Sequence, residues 1–170
     1  MKQQSENLVC FAHGKESGPW GTKITRLAEV ARARGFEVIS PDYSRSHDPH
    51  ERVAMLLALA PRATHLVLVG SSMGGYVSAM ACAPLKPQAL FLMAPALYFP
   101  GWEEEPKACP PLTVVVHGWK DEVVPVERSL RFAQPRQAAL HLLESGHTLT
   151  DQLPLLTLLF DDFLTKVVAK

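Results

Sequence analysis

Short apolar runs alternate with stretches of helical periodicity along almost the whole chain, and this alternation most narrows what the chain can build. The runs fall at 8–12, 36–40, 65–69, 89–93, 113–116 and 138–143, and each reads as a strand. Between the first two, Ile24, Leu27, Ala28 and Ala31 recur at the helical period, with Gly35 where a C-terminal cap belongs. A second helix begins near Pro49 under a Ser46 or Asp48 cap, carries Val53, Leu56, Leu57 and Ala60 on one side, and stops at Pro61. Further helices are expected over 76–83, 126–132 and most of 149–168. Crossovers of this length cannot be hairpins, so the strands form a parallel sheet with helices on both faces. The link 98–111 differs: it holds Pro100, Pro106, Pro110 and Pro111 and reads as irregular or only briefly helical. At 170 residues the chain is expected to form one domain, 1–170.

Charge and cysteine usage exclude several function classes. Lys plus Arg and Asp plus Glu both number 17, so no chain-wide basic field exists to hold nucleic acid or an anionic membrane. The cysteines Cys10, Cys82 and Cys109 are odd in number and form no CxxC pair, which argues against a disulfide framework or thiolate metal cage and fits a reducing compartment. The apolar run at 8–12 is too short for a signal-peptide core, and no stretch approaches the roughly 20 apolar residues of a membrane span. A cytoplasmic α/β enzyme or binding domain is expected.

The third strand runs into Gly70-Ser71-Ser72-Met73-Gly74, a G-x-S-x-G match directly between a strand and a helix. A nucleophilic serine needs such a sharp turn to expose its hydroxyl at the carboxyl edge of the sheet, and crowding there admits only small neighbours. The helix that follows aims free N–H groups at developing negative charge. The plainer alternative is a small-residue turn that lets strand and helix pack closely. A dinucleotide fingerprint needs glycine where Ser72 stands, and no Gly-Lys-Ser/Thr follows to make a phosphate loop.

A serine hydroxyl is a weak nucleophile without a base, itself oriented by a carboxylate. In a doubly wound sheet these partners belong just beyond the carboxyl ends of later strands. Asp121 follows the fifth strand, with Glu122 as its neighbouring rival, and His147 follows the sixth in a Gly-flanked loop. His141 lies inside the sixth strand and reads as structural. His117 ends the fifth strand and borders the site but precedes the acid, while His47, His50 and His65 read as solvated. For an oxyanion, the donors expected are the Met73 N–H and an N–H of the loop after the first strand. Lys15 is favoured there, with Gly14 and Glu16 as alternatives, and His13 reads as a residue that holds this loop.

In FAHGKESGP, GSSMGGY, HGWKDEVVP and ESGHTL, and in the Ser…Asp…His order of Ser72, Asp121 and His147, the chain resembles the α/β-hydrolase superfamily. The likeness is to small bacterial serine hydrolases and esterases of the YqiA-like and dienelactone-hydrolase-like kind. Dienelactone hydrolases proper use a cysteine nucleophile; Ser72 departs from that, so their substrate is not inherited. The resemblance implies a compact α/β-hydrolase fold of six parallel strands in order 2-1-3-4-5-6. It also implies no large cap, since lids usually insert at 98–111 and that segment is short. It assigns Ser72 as nucleophile, Asp121 as acid, His147 as base and Met73 as oxyanion donor. Loop aromatics at or near the active edge, namely Trp20, Tyr43, Tyr98, Phe99, Trp102 and Trp119, are pocket candidates, with Trp20, Tyr98 and Trp119 foremost; Glu103–Glu105 read as a solvated charge run. The function expected is hydrolysis of a small-molecule carboxylic ester or thioester through an acyl-enzyme, with no metal or organic cofactor. The alternatives are an acyltransferase and a non-catalytic binding module on the same scaffold.

Overall fold

The computed structural model describes residues 5–169. Six strands, β1 (Asn7–Ala12), β2 (Glu37–Ile39), β3 (His65–Ser71), β4 (Ala89–Met93), β5 (Thr113–Gly118) and β6 (Ala139–Leu143), form one sheet in the order β2-β1-β3-β4-β5-β6. Every pairing is parallel. The helices are α1 (Thr22–Ala33), α2 (Pro49–Leu59), α3 (Met73–Met80), α4 (Cys82–Leu85), α5 (Val126–Arg136) and α6 (Leu153–Val168). The chain therefore has the compact fold expected, with the reversal of strand order between β1 and β3.

Strand alternation divides the core in two. Val9, Phe11, Val67, Val69, Phe91 and Val116 face α1 and α6, where Phe91 meets Phe160 edge-on at 5.1 Å between ring centroids. Cys10, Leu66, Leu68, Leu90, Leu92 and Val115 face the other way, toward Leu56 of α2, Val77 of α3 and Phe132 of α5. The apolar runs are continuous because both faces of the central strands are covered. Truncating a ring such as Phe160 to alanine costs about 3–5 kcal/mol.

Several observed elements differ from expectation in their bounds or in the face they bury. β3 and β5 each continue two residues past their apolar runs, because Ser71 still pairs with Met93 and Gly118 with Leu143. The third helix starts at Met73 rather than at 76 and breaks at Ala81 before the short α4. α5 passes through Pro135 to Arg136, whose Nη1 donates to the Phe132 carbonyl at 2.9 Å. In α2, Asp48 is the cap, accepting from the His50 N–H. Its inward side holds a charge as well as apolar groups: Arg52 is fully buried beside Leu56, while Val53 and Leu57 are only half-buried.

The link 98–111 is irregular, with a single bridge between Phe99 and Trp102, so no large cap covers the carboxyl edge. Glu103, Glu104 and Glu105 are all exposed, as expected, but two of them are also engaged. Glu104 and Glu105 accept hydrogen bonds from the hydroxyls of Tyr76 and Tyr98, each at 2.9 Å, and Glu105 also pairs with Arg136. These contacts tie the link down onto α3 and α5. Among the described residues no helix is long and apolar enough to cross a membrane.

Candidate active site

Between β3 and α3 the chain turns within one residue. Ser72 has φ 54° and ψ −119°, a conformation that typically costs about 1–3 kcal/mol and persists only where the surroundings impose it. They do so here. The Ser72 N–H donates to the Met93 carbonyl at 3.0 Å, and its own carbonyl accepts from the Gly75 and Ala96 N–H groups, both at 2.9 Å. The flanking glycines are required by space: a Cβ on Gly70 would lie 2.2 Å from the Gly74 carbonyl oxygen, and one on Gly74 would lie 1.9 Å from that of Ala12.

A second close approach brings the other side chains to the same rim. A Cβ on Gly118 would lie 2.2 Å from the Ser145 carbonyl oxygen, so the ends of β5 and β6 nearly touch. Hydrogen bonds from Trp119 N–H to Leu143 (2.9 Å) and from Lys120 N–H to Ser145 (3.0 Å) lace the two loops together. Asp121 and His147 project from them. His147 Nδ1 lies 2.7 Å from Asp121 Oδ2, and its Nε2 lies 3.0 Å from Ser72 Oγ. The carboxylate accepts, so Nδ1 carries the proton and Nε2 is left to accept from the serine hydroxyl.

The Asp121 side chain is fully buried, and both its oxygens accept from donors. Oδ1 accepts from the Val123 and Val124 N–H groups, both at 2.8 Å, and Oδ2 accepts from His147 and from His117 Nε2 at 3.0 Å. Burial pushes its pKa up, but the bonds from His147, Val124 and Val123 together outweigh that and hold the carboxyl below its ordinary value. His117, read from sequence as a residue bordering the site, is instead part of its foundation. Its Nε2–H points at Asp121 and the Val124 carbonyl (2.9 Å), while Nδ1 accepts from the Ser129 hydroxyl at 2.7 Å. Burial lowers its pKa, which keeps the ring neutral. Nothing in its spacing marks this role, since a histidine at a strand end is common and its partners Val124 and Ser129 carry no motif.

The loop after β1 passes directly beside the serine: a Cβ on Gly14 would be 3.5 Å from that of Ser72. Among the described residues no protein acceptor takes the Lys15 or the Met73 N–H. His13 holds the loop, accepting the Tyr43 N–H on Nε2 at 2.9 Å and donating from Nδ1 to the Gly14 carbonyl at 2.8 Å.

The aromatic candidates divide. Trp119 is 58% exposed on the rim, two residues before Asp121. Trp20 is exposed too, but its ring lies 5.6 Å from the Arg32 guanidinium in the last turn of α1. Tyr98 is buried, with its hydroxyl on Glu105 and its ring under the Arg131 guanidinium at 3.8 Å, so it packs the wall and offers no free face to a ligand. Tyr43 is buried as well; Phe99 and Trp102 stack on each other with Arg128 over Phe99 at 4.1 Å. His65 is half-buried with Nδ1 2.7 Å from Asn7 Oδ1, not solvated, whereas His47 and His50 are exposed. Among the described residues no cluster of His, Cys, Asp and Glu is arranged to hold a metal ion.

A model of the alpha/beta hydrolase family matches residues 11–166. Among solved structures, a proposed hydrolase of the alpha/beta superfamily from Xanthomonas campestris pv. campestris is 32% identical with a TM-score of 0.86, covering 95% of this chain and 99% of its own. Est1E from Butyrivibrio proteoclasticus is 19% identical with a TM-score of 0.83, covering 99% of this chain and 91% of its own. XC6422 from Xanthomonas campestris, described as an α/β serine hydrolase without lid, is 21% identical with a TM-score of 0.69 over 95% of this chain and 83% of its own. No curated protein matches the sequence.

Proposed function

The chain belongs to the alpha/beta hydrolase family, and from that premise we propose that it is a serine esterase acting on small carboxylic esters, with thioesters as a second class. The observation that carries this reading is the continuous relay from Ser72 Oγ through His147 to Asp121, with links of 3.0 and 2.7 Å. Ser72 Oγ attacks the ester carbonyl as His147 Nε2 takes its proton. Asp121 stabilises the imidazolium that forms and fixes its tautomer. The oxyanion is held by the Met73 N–H, the first of α3 and so aligned with the helix dipole, and by the Lys15 N–H. His147 then returns the proton to the leaving alcohol, and water activated by the same ring hydrolyses the acyl-enzyme.

The open edge favours small or extended acyl groups over a buried chain, and Trp119 is the side chain offered to the ester's apolar part. Hydrolysis requires no cofactor in this scheme. The test is turnover of p-nitrophenyl acetate by wild type and by folded Ser72→Ala. The reading expects the variant to lose essentially all enzymatic turnover, and unchanged turnover would refute it. Product analysis with added alcohols separates hydrolysis from acyl transfer.

A further inference from the structure

Arg52 is a fully buried cation behind the loop that follows β1. Its Nε donates to the Ser46 carbonyl at 2.8 Å, and its Nη1 donates to the carbonyls of His13 and Gly14, both at 3.1 Å. β1 ends at Ala12, so the sheet ladder no longer serves these carbonyls. Among the described residues no carboxylate pairs with the guanidinium; Asp42, 3.7 Å from His13 Nε2, is 63% exposed. Its Nη2 is buried without a partner. Burying an unpaired charge is costly, and an apolar residue at this position of α2 would avoid the cost. The arrangement therefore calls for a reason beyond packing.

The reason lies in the peptide it grips. The Gly14 carbonyl, which takes both Arg52 Nη1 and His13 Nδ1–H, belongs to the same amide as the Lys15 N–H. Donors on an amide oxygen, one of them charged, draw electron density from the group and strengthen its N–H as a donor. They also fix the plane of that amide beside Ser72. We propose that Arg52 is a positioning residue of the oxyanion hole, acting through the Gly14 carbonyl to aim and polarise the Lys15 N–H. This rests on the serine esterase reading above. Lysine is only a partial substitute: it keeps the charge, but one ammonium does not span three carbonyls as the planar fork does.

The test compares wild type, Arg52→Met and Arg52→Lys on p-nitrophenyl acetate, and measures binding of a trifluoromethyl ketone that captures Ser72 as an oxyanionic hemiketal. Deleting a whole oxyanion donor costs about 10²–10³ in kcat, so weakening one predicts a loss of about ten- to hundredfold in Arg52→Met. The ketone should weaken by the same factor while KM stays within about twofold. Arg52→Lys should recover part of both. A packing role alone would lower thermal stability and leave kcat and ketone affinity within about twofold of wild type, and that result overturns the proposal. If Arg52→Met does not fold, Arg52→Lys decides: parallel losses in kcat and ketone affinity support the role, and wild-type values overturn it. Ser72→Ala keeps the two readings apart. Turnover surviving there removes the oxyanion and both proposals with it, whereas its loss beside an unaffected Arg52 variant removes only this one.

Discussion

Replacing Gly74 by alanine tests how closely the elbow and the first strand must approach for the site to exist. The new Cβ would lie 1.9 Å from the Ala12 carbonyl oxygen, 2.4 Å from its carbon and 2.7 Å from the His13 oxygen. All three are backbone atoms at the end of a central strand, so no side chain can swing aside. Reaching even 3.0 Å, the shortest distance that real Cβ atoms show, requires a separation of more than about 1 Å between α3 and β1. Overpacking of this kind costs about 1–3 kcal/mol, and the upper end applies because the obstruction is backbone. For a chain of this size that predicts a fall in Tm of about 6–12 °C. The same displacement separates Ser72 and the Met73 N–H from the loop that carries Lys15, and a misplacement of about 1 Å costs about 10²-fold in rate. Thermal unfolding and kcat/KM on p-nitrophenyl acetate read the two effects. Gly18→Ala is the control, since nothing lies within 4 Å of a Cβ there. Gly74→Ala with the Tm and activity of the control would refute the reasoning.

Three further outcomes follow from the same geometry. Asp121→Asn replaces an oxygen that accepts from two imidazoles with a group that can donate, so kcat should fall by about 10⁴-fold through loss of the correct His147 tautomer; steady-state kinetics on the folded variant check this. His117 is held neutral with a lowered pKa, so the unfolded chain takes up its proton first as pH falls; the resulting stability is present above about pH 6.5 and is lost from there down to the folded-state value. Denaturant titrations from pH 7.5 to 5 should therefore show a shallower loss in His117→Gln than in wild type. Trp119→Ala should raise KM for aryl esters severalfold, while Trp20→Ala, whose ring rests by Arg32, should leave KM and kcat within about twofold.

The sheet was legible from sequence because its signals are local: apolar runs, turn residues and helix periods are written along the chain. What escaped was pairing carried by residues with no hydropathy signal, such as Ser71 and Gly118 at the ends of β3 and β5. The helix that outlasts Pro135 escaped too, because a proline reads as a stop, whereas Arg136 beside it caps the last turn on the Phe132 carbonyl. At the candidate site, Ser72, Asp121 and His147 could be picked out because a parallel sheet gathers its loops at one edge, and the structure brings the three side chains together there. Polar burial was not legible. Arg52 occupies a helix face read as apolar, and His117 looks like any strand-end histidine until Asp121, Val124 and Ser129 are seen around it. Glu104 and Glu105 are exposed as their charge run suggests, but the tyrosine hydroxyls that donate to them leave no mark in the sequence.

The most direct measurement is the intact mass of the protein after exposure to a fluorophosphonate, followed by mapping of the modified peptide. One adduct is expected, located on Ser72, absent from Ser72→Ala and formed far more slowly in His147→Ala. A folded wild type that takes no adduct, or takes it on another residue, would contradict this expectation.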